Sequence, residues 1–327
     1  MAPIRGTDRP TKYTCNTSII WYNQTCFPLK FGGHLVNRFY FAFLLIITTA
    51  LMGSSFVVGK ISVSYISPLL LAGLRFLLAG ALMAIFVRKY THPHLLVDWL
   101  KIIVIGLFQT VGVMGCIFVS LRTITAGESS ILTFMNPLFV VILSTLFIKI
   151  KYKPIQWFGV FLGCVGMIIL GLLQWSTGTI IGLIGGLCWA IATLLIKKFS
   201  LSCSVWVLTA YQMLFGGLIL TIAGILMEDI RLTFNFISVS SLAYLVLFGS
   251  IAQFALWFYL LSKGDSTKTS AFLFLAPFFG VLLGYLFLNE PLHNETALGA
   301  VLVCIGIFLV NWSPTNNAKL NKQKLSE

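Results

Sequence analysis

Arg75 is the residue whose type and position point most directly to chemistry, because it lies inside the apolar run near 68 to 87. A charge within a membrane span costs at least about 2.5 to 3.5 kcal/mol, so it tends to face a cavity or a partner. At 1.5 Å per residue, Arg75 lies roughly 10 Å from Pro68, too deep to reach the nearer surface easily. We expect it either to hold an anionic group of a small molecule, or to join helices through Glu128 or backbone carbonyls.

Glu128 and the residues around two prolines are the next candidates. Glu128 begins the apolar run near 127 to 148, where a helix N-terminus would stabilise its carboxylate or where burial would suit it for proton coupling. Pro137 and Pro277 each remove a backbone hydrogen bond within a run, which suits a hinge, although such prolines are often only structural. Asn136, beside Pro137, is expected to contact either a freed carbonyl or a small molecule.

Other polar and aromatic side chains within the runs are candidates for lining a cavity. The alternative is that they pack against neighbouring helices and lipid, or anchor the chain at the membrane interface. These candidates for contact with a small molecule are Gln109, Thr110, Trp189, Tyr211, Gln212, Gln253, Trp257 and Tyr259.

Motifs of nucleotide hydrolysis and of common hydrolase chemistry are absent from the sequence. It contains no G-x-x-x-x-G-K-[ST], no H-E-x-x-H and no G-x-S-x-G. The seven cysteines form no C-x-x-C pair, and only His92 and His94 lie close together among four histidines. We therefore expect no metal, no cofactor and no enzymatic activity.

The composition determines the fold class in which these candidates lie. Of 327 residues, 58% are hydrophobic and 9% are charged, against about 25% charged in soluble domains. Ten continuously apolar runs predict an all-α integral membrane protein with ten transmembrane helices, because barrel strands would alternate in polarity. The runs lie near 41 to 59, 68 to 87, 99 to 121, 127 to 148, 155 to 173, 180 to 196, 205 to 227, 242 to 261, 270 to 288 and 297 to 312.

The distribution of charge predicts the orientation of these spans. Most of the 22 Lys and Arg residues lie on one side, and only Lys60, Arg122 and Arg231 lie in loops on the other. Cytoplasmic loops retain positive charge, so both termini are predicted to be cytoplasmic, as an even number of spans requires. The net charge of +13 therefore reflects this loop pattern, and we expect no nucleic-acid partner.

Four segments are predicted along the chain. The first does not resemble a signal peptide, because its basic start is not followed by an apolar stretch. Translation starting at Val36 would remove most of it, since Gly32-Gly33 is compatible with a ribosome-binding sequence just before a GTG codon. The segments are a cytoplasmic tail over 1–40, a five-helix unit over 41–175, a second five-helix unit over 178–312, and a basic cytoplasmic tail over 313–327.

The two five-helix units are copies of each other. Residues 130 to 170 align with 270 to 310 without a gap, and the earlier helices align at a slightly different spacing that matches Arg75 with Gln212. Five is an odd number, so the second copy must cross the membrane in the opposite direction, which predicts an inverted repeat. Such copies can exchange conformations around a central site, which predicts alternating access. A stable bundle or a channel would also be compatible with the duplication.

Three groups of residues carry a resemblance to a known family. They are Met52 to Lys60 with Pro68 and Leu74-Arg75-Phe76, then Trp189-Ala190 with Lys197, and finally Ala276-Pro277 through Leu288-Asn289-Glu290-Pro291-Leu292 with Gly299 and Gly306. These groups resemble EamA-family members of the drug/metabolite transporter superfamily over about 41 to 312. The resemblance implies a ten-helix inner-membrane carrier, usually an exporter of metabolites, amino acids or drugs. Two positions depart from the family pattern: Met52 replaces a frequent Trp, and Ile150 replaces the Glu that matches Glu290.

The sequence as a whole predicts a secondary transporter of the cytoplasmic (inner) membrane. It would move a small metabolite, amino acid or drug-like molecule by alternating access, most readily outward, and be coupled to protons or to exchange. Its expected partners are the small-molecule substrate and membrane lipid. The alternatives are a passive channel or facilitator and, from another class, a membrane-embedded enzyme.

Overall fold

The computed structural model describes residues 38–173, 176–199, 201, 203–263, 266–291 and 294–312. Within these ranges the chain is helical, and its β-type pairing is one isolated bridge between Ile66 and Leu232. The predicted start at Val36, most of the tail over 1–40 and the tail over 313–327 lie outside the described residues. The first helix begins at Arg38, three residues before the expected boundary.

The helical segments group into elements that we number α1 to α10. Two of them, α3 and α8, contain a π-helical segment, and two others, α4 and α9, are interrupted near their middle. The bounds are α1 Arg38–Ser62, α2 Pro68–Phe86, α3 Leu96–Ser120, α4 Ala126–Phe134 with Asn136–Ile148, α5 Pro154–Leu173, α6 Thr177–Phe199, α7 Val205–Met227, α8 Phe236–Lys263, and α9 Ser266–Ala271, Phe272–Phe274 and Leu275–Leu288, with α10 Asn294–Asn311.

Eight of these elements are long and apolar enough to cross a membrane, and α5 and α10 contain shorter apolar stretches, Pro154–Ile169 and Ala297–Asn311. The helices are apolar on most sides, as expected for segments that contact both lipid and each other. The prediction of an all-α integral membrane protein is thus confirmed, and ten spans remain a prediction.

Local sequence explains where several helices begin and end. Pro68 occupies the first turn of α2, where its missing N–H costs nothing. Thr125 and Glu128 form a capping box at the start of α4, with both bonds 3.0 Å long. The helices α4 and α9 both end in a left-handed residue, Lys149 at φ 60° and Asn289 at φ 52°.

The helices α2 and α7 pack very closely near the centre of the molecule. A methyl group on Gly80 would collide with the backbone of Leu214, and one on Gly217 would collide with the backbone of Leu77. Glycine lets two membrane helices approach to backbone contact, which strengthens packing where the hydrophobic effect between helices is weak. Leu77 is therefore level with Gly217, and it is the middle residue of the 19-residue helix α2.

Hydrogen bonds join the turns at one end of the bundle, which we call the Glu290 face. It comprises the turns 63–67, 121–125, 228–235 and 289–291. Ser67 N–H donates to Arg231 O at 2.9 Å, and Thr233 N–H donates to Tyr65 O at 3.0 Å. These bonds cross between the first and second halves of the chain.

The opposite end, with the turns 90–95, 149–153 and 203–204, is called the Tyr152 face. Here Ser204 N–H donates to Thr91 O at 3.3 Å, and Gln156 Nε2 at the start of α5 donates to Val310 O at 3.0 Å, so bonds between the halves are present at this end as well. The Tyr152 hydroxyl lies 2.7 Å from Ser144 Oγ within the same hairpin. Burial raises the pKa of the Tyr152 phenol, which is therefore neutral in this contact.

Candidate functional site

The π-helical segments of α3 and α8 lie at corresponding positions of the two halves. They span Leu107–Gly112 and Leu247–Ala252, and Leu247 follows Leu107 by the same 140 residues that separate 130 from 270. A π-helical turn inserts one extra residue and shifts the backbone hydrogen bonds, and such turns are often found at functional sites. The central part of the molecule is built around these two turns and the facing helices α2 and α7.

Arg75 of α2 is bound to the π-helical segment of α8. Its Nε donates to Ser250 Oγ at 2.9 Å, and its Nη2 donates to Gly249 O. Its Cζ lies 4.8 Å from the ring centroid of Phe76 and 5.7 Å from that of Phe118, so the guanidinium also contacts aromatic faces. The two helices are thereby joined through a backbone carbonyl, one of the expected alternatives.

The charge of Arg75 is buried and has no counter-ion among the described residues. Its exposed fraction is 4%, and it lies only two residues before Leu77, about 3 Å from the middle of α2. The Nη1 group donates no hydrogen bond within the described part of the chain. The expected pairing with Glu128 is wrong, because that carboxylate caps the first turn of α4 at the Glu290 face.

Gln212 of α7, which matches Arg75 in the alignment, contacts the other π-helical segment. Thr110 Oγ1 donates to Gln212 O at 3.3 Å, in the position that corresponds to the Arg75 bond with Ser250. Gln212 is 5% exposed, and its Oε1 has no partner among the described residues. Gln109 precedes Thr110 in the same segment and is half-buried. Matching positions are therefore in contact in both halves, through the Arg75 side chain in one half and through the Gln212 backbone carbonyl in the other.

Asn136 lies where α4 is interrupted, at the start of its second segment. Its exposed fraction is 0%, and neither Oδ1 nor Nδ2 has a hydrogen-bond partner in the described structure. The expected contact with a freed carbonyl is therefore not made. Burying an unpaired amide costs roughly 1 to 3 kcal/mol in proteins. An arrangement of this kind is suited to a bound polar group.

The prolines lie beside the interruptions of α4 and α9. Pro137 is in the first turn after the interruption at Met135, and Pro277 follows the 3-10 turn Phe272–Phe274. Proline removes an N–H that a continuous helix would use, which explains why both helices are interrupted there. Whether these interruptions act as hinges stays a prediction.

The aromatic candidates fall into separate groups. Trp189 packs on Phe134 with ring centroids 5.4 Å apart, at the interruption that contains Asn136. Tyr211 instead packs on Trp99, 4.7 Å between centroids, toward the Tyr152 face. Trp257 packs half-buried against the main apolar core.

Gln253 begins the helical segment that follows the π-helical turn of α8. It lies one turn after Gly249, the residue whose carbonyl binds Arg75. Its Oε1 has no partner among the described residues. Arg75, Gln109, Gln212 and Gln253 are thus all associated with the π-helical turns.

Glu290 is not among the candidates for a functional role that the sequence provides. Its Oε1 accepts from Ala126 N–H at 2.7 Å, and its Oε2 accepts from Gly127 N–H at 3.3 Å. It therefore holds the first turn of α4 from the turn between α9 and α10. The signal in the sequence was the mismatch between Glu290 and Ile150.

The fold and these contacts define a multi-pass helical membrane protein with a polar centre. The model of the EamA-like transporter family matches the chain over residues 40–172 and again over residues 176–312. The chain belongs to the EamA-like transporter family.

Known proteins that are similar in sequence over about four fifths of this chain support this membership. An uncharacterized transporter of Archaeoglobus fulgidus is 31% identical over 81% of this chain and 95% of its own length. The uncharacterized inner membrane transporter YedA of Escherichia coli is 29% identical over 79% of this chain and 86% of its own. A WAT1-related chloroplastic protein of Arabidopsis thaliana is 26% identical over 81% of this chain and 68% of its own length.

A solved crystal structure shares the fold. Its TM-score is 0.59 at 18% sequence identity, and the similarity covers 87% of this chain and 98% of the other chain.

The names of the relatives and the family together support membrane transport, so this chain has a small-molecule substrate.

Proposed function

We propose that this protein is a secondary transporter that exports a small metabolite, amino acid or drug-like molecule across the cytoplasmic membrane by alternating access. The observation that carries the proposal is the pair of matching contacts, Arg75 with Ser250 and Gln212 with Thr110. Each joins a central helix of one half to a π-helical turn. Contacts at matching positions in the two halves are compatible with a mechanism that exchanges two mirrored conformations.

The proposed architecture is ten spans in two inverted repeats over 41–175 and 178–312. The double family match supports it, as do the equivalent π-helical turns and the equivalent left-handed ends at Lys149 and Asn289. The helix pairs α2 with α7 and α5 with α10 also pack against each other, as they would around a pseudo-twofold axis.

We place the Glu290 face outside and the Tyr152 face in the cytoplasm, together with both termini. Cytoplasmic loops retain Lys and Arg, and the two faces differ strongly in these residues. On the Glu290 face they are Lys60, Arg122 and Arg231, whereas on the Tyr152 face they are Arg88, Lys89, Lys101, Lys149, Lys151, Lys153, Lys197, Lys198 and Lys263.

We assign substrate contact to the polar centre. Arg75 supports an anionic group on the substrate, because its buried charge has no counter-ion among the described residues and its Nη1 donates no bond there. Asn136 adds a donor and an acceptor, and the remaining contacts come from the other candidates. They are Gln109, Trp189, Tyr211, Gln212, Gln253 and Trp257.

Three further parts of the proposal concern the energy source and motion. Pro137 and Pro277 serve as hinges at the interruptions of α4 and α9. Transport is coupled to protons or to exchange, since the sequence has no nucleotide-hydrolysis motif. Glu128 is a weak candidate for the carboxylate that couples protons to transport, because both bonds of its capping box are satisfied within its own helix end.

The test compares the parent protein with Arg75→Gln. Cells that overproduce either protein at equal membrane abundance are profiled for extracellular metabolites, and enriched compounds are then used for counterflow in proteoliposomes. The parent should show saturable counterflow of a compound that carries an anionic group, and Arg75→Gln should lower it about tenfold or more, because a charged hydrogen bond contributes about 1.5 to 3 kcal/mol.

Arg122→Gln is the matched control, since Arg122 lies on the Glu290 face, is half-exposed and forms a long ion pair of 3.5 Å with Glu228. It should keep most of the parent's activity. Flux that does not saturate and shows no counterflow would support a channel instead and contradict the proposal. Equal transport by Arg75→Gln and the parent would remove Arg75 from the substrate site.

A further inference from the structure

The two faces of the molecule differ at one pair of matching positions, Glu290 and Ile150. Both follow a helix that ends in a left-handed residue, Asn289 or Lys149. Their backbone N–H groups make equivalent bonds, Glu290 to Gly284 O at 3.3 Å and Ile150 to Ser144 O at 3.2 Å. The two side chains therefore start from the same local geometry, and only the glutamate has a polar group.

The hydrogen bonds of the Glu290 carboxylate join the second half of the chain to the first. It leaves the turn after α9 and accepts hydrogen bonds from Ala126 N–H at 2.7 Å and Gly127 N–H at 3.3 Å. These are unsatisfied donors in the first turn of α4, where a helix N-terminus also attracts negative charge. Opening the Glu290 face requires the first turn of α4 to separate from this carboxylate.

Two further residues, Gly284 and Lys60, lie near the contact between Glu290 and the first turn of α4. Gly284 has no side chain at the place where a methyl group would collide with Glu290 Oε2. Lys60 Nζ donates to Leu121 O at 2.6 Å and to Ile124 O at 2.8 Å, just before the start of α4. The end of α1, the end of α3 and the start of α4 are thus held together around Glu290.

At the described residues of the Tyr152 face, the positions that match Glu290, Gly284 and Lys60 make different contacts. The side chain of Ile150 has no atom that accepts a hydrogen bond. The position of Gly284 is taken by Ser144, whose Oγ lies 2.7 Å from Tyr152 Oη in the same hairpin. Lys197, which matches Lys60, is exposed and forms no bond within the described residues. Among the described residues, a carboxylate that binds the first turn of a helix in the other half is therefore found on the Glu290 face and not on the Tyr152 face.

We propose that Glu290 is a positioning residue that latches the Glu290 face and shifts the resting equilibrium toward the conformation closed on that face. The inference rests on the alternating-access function proposed above, and it adds which face is closed at rest and which residue decides this. Because Ile150 replaces the matching carboxylate, the opposite face has no such latch, and this makes the two states unequal in energy.

The test uses reactive thiols at two matching serines, in the full chain with its own cysteines replaced. Ser130 on α4 and Ser270 on α9 are both 0% exposed, and they lie one turn inside the Glu290 face and the Tyr152 face respectively. Ser130→Cys and Ser270→Cys are labelled separately with N-ethylmaleimide in nanodiscs. The ratio of the two labelling rates reports which face opens more often.

Glu290→Gln should raise labelling of Ser130→Cys about tenfold, because it removes the charge from a bond of the strong charged class. Ile150→Glu should lower labelling of Ser270→Cys, because it adds a carboxylate near the first turn of α9. The double variant, Glu290→Gln with Ile150→Glu, should reverse the ratio.

Glu128→Gln is the control, because Glu128 lies at the same helix end but bonds only to Thr125 in its own half. A purely local role for Glu290 would make both glutamine variants act alike. The proposal is overturned if Glu290→Gln leaves the ratio unchanged, or if Glu128→Gln raises Ser130→Cys labelling equally. These rates need no substrate, so parent counterflow with an unmoved ratio would reject the latch and leave the transporter function standing. Absent counterflow would reject that function alone.

Discussion

The Nε atom of Arg75 donates a 2.9 Å hydrogen bond to Ser250 Oγ, which joins α2 in the first half of the chain to the π-helical turn of α8 in the second. Ser250 Oγ in turn donates to Leu245 O at 3.0 Å, five residues earlier, so it binds a carbonyl just before the π-helical turn. A buried charge and an irregular backbone segment thus stabilise each other at the centre of the membrane protein.

This relationship predicts a measurable coupling between the two side chains. Ser250→Ala should lower the free energy of unfolding by about 1.5 to 3 kcal/mol, because it removes a charged hydrogen bond. In the Arg75→Gln background, Ser250→Ala should lower the free energy of unfolding by a smaller amount, since the bond between the two side chains is already altered. Reversible unfolding of the four proteins in mixed micelles measures this. Ser262→Ala, which removes only a local bond to Tyr259 O, serves as control, and additive effects would contradict the coupling.

Gly249 is predicted to tolerate no side chain. A methyl group there would lie 2.7 Å from Ser55 Oγ and 3.1 Å from Arg75 Nη2. Gly249→Ala should therefore destabilise the protein by about 1 to 3 kcal/mol through overpacking. Gly115→Ala provides the comparison, because its methyl group would meet the flexible ends of two leucines, Leu220 at 3.2 Å and Leu69 at 3.6 Å. In detergent, the midpoint temperature of unfolding of Gly249→Ala should be well below that of Gly115→Ala. Equal midpoints for the two variants would refute the tight fit at Gly249.

Asn136 should show opposite effects on stability and on transport. Asn136→Leu removes an amide that is 0% exposed and has no hydrogen-bond partner among the described residues. Stability should stay equal or rise by about 1 to 2 kcal/mol, while counterflow falls. Asn311→Leu is the control, because it removes a 2.9 Å bond to Ile307 O and should not stabilise. A loss of stability in Asn136→Leu would show that the amide has a structural partner.

The orientation of the faces predicts which thiols are reached from outside the cell. Thr233→Cys on the Glu290 face and Lys151→Cys on the Tyr152 face both replace exposed residues. In a chain with its other cysteines replaced, a membrane-impermeant maleimide should label Thr233→Cys in intact cells. Lys151→Cys should react only after the membrane is permeabilised. The reverse pattern would invert the proposed orientation.

Much of the fold follows from the sequence because membrane segments are determined by local composition. A lipid-facing helix must be apolar over its whole length, so each run predicts a helix without knowledge of its neighbours. The expected helix at 68 to 87 corresponds to Pro68–Phe86, and the one at 205 to 227 to Val205–Met227. The match between Arg75 and Gln212 also came from the sequence.

The partners of the polar residues depended on the tertiary structure. The sequence offered Arg75 both Glu128 and backbone carbonyls, and the fold brings it to Gly249 and Ser250 of α8. An apolar run gives no rotation about its helix axis, and that rotation decides which side chains meet. The π-helical turns change the rotation of everything after them, and no residue pattern in the sequence predicted them.

Glu290 shows the same division between sequence and structure. The sequence showed that this carboxylate has no match at Ile150, but it did not show what the carboxylate binds. The tertiary structure brings the first turn of α4 within 2.7 Å of that carboxylate. Unsatisfied N–H groups at a helix start bind whatever acceptor the fold brings near, and only packing between distant helices decides which acceptor that is.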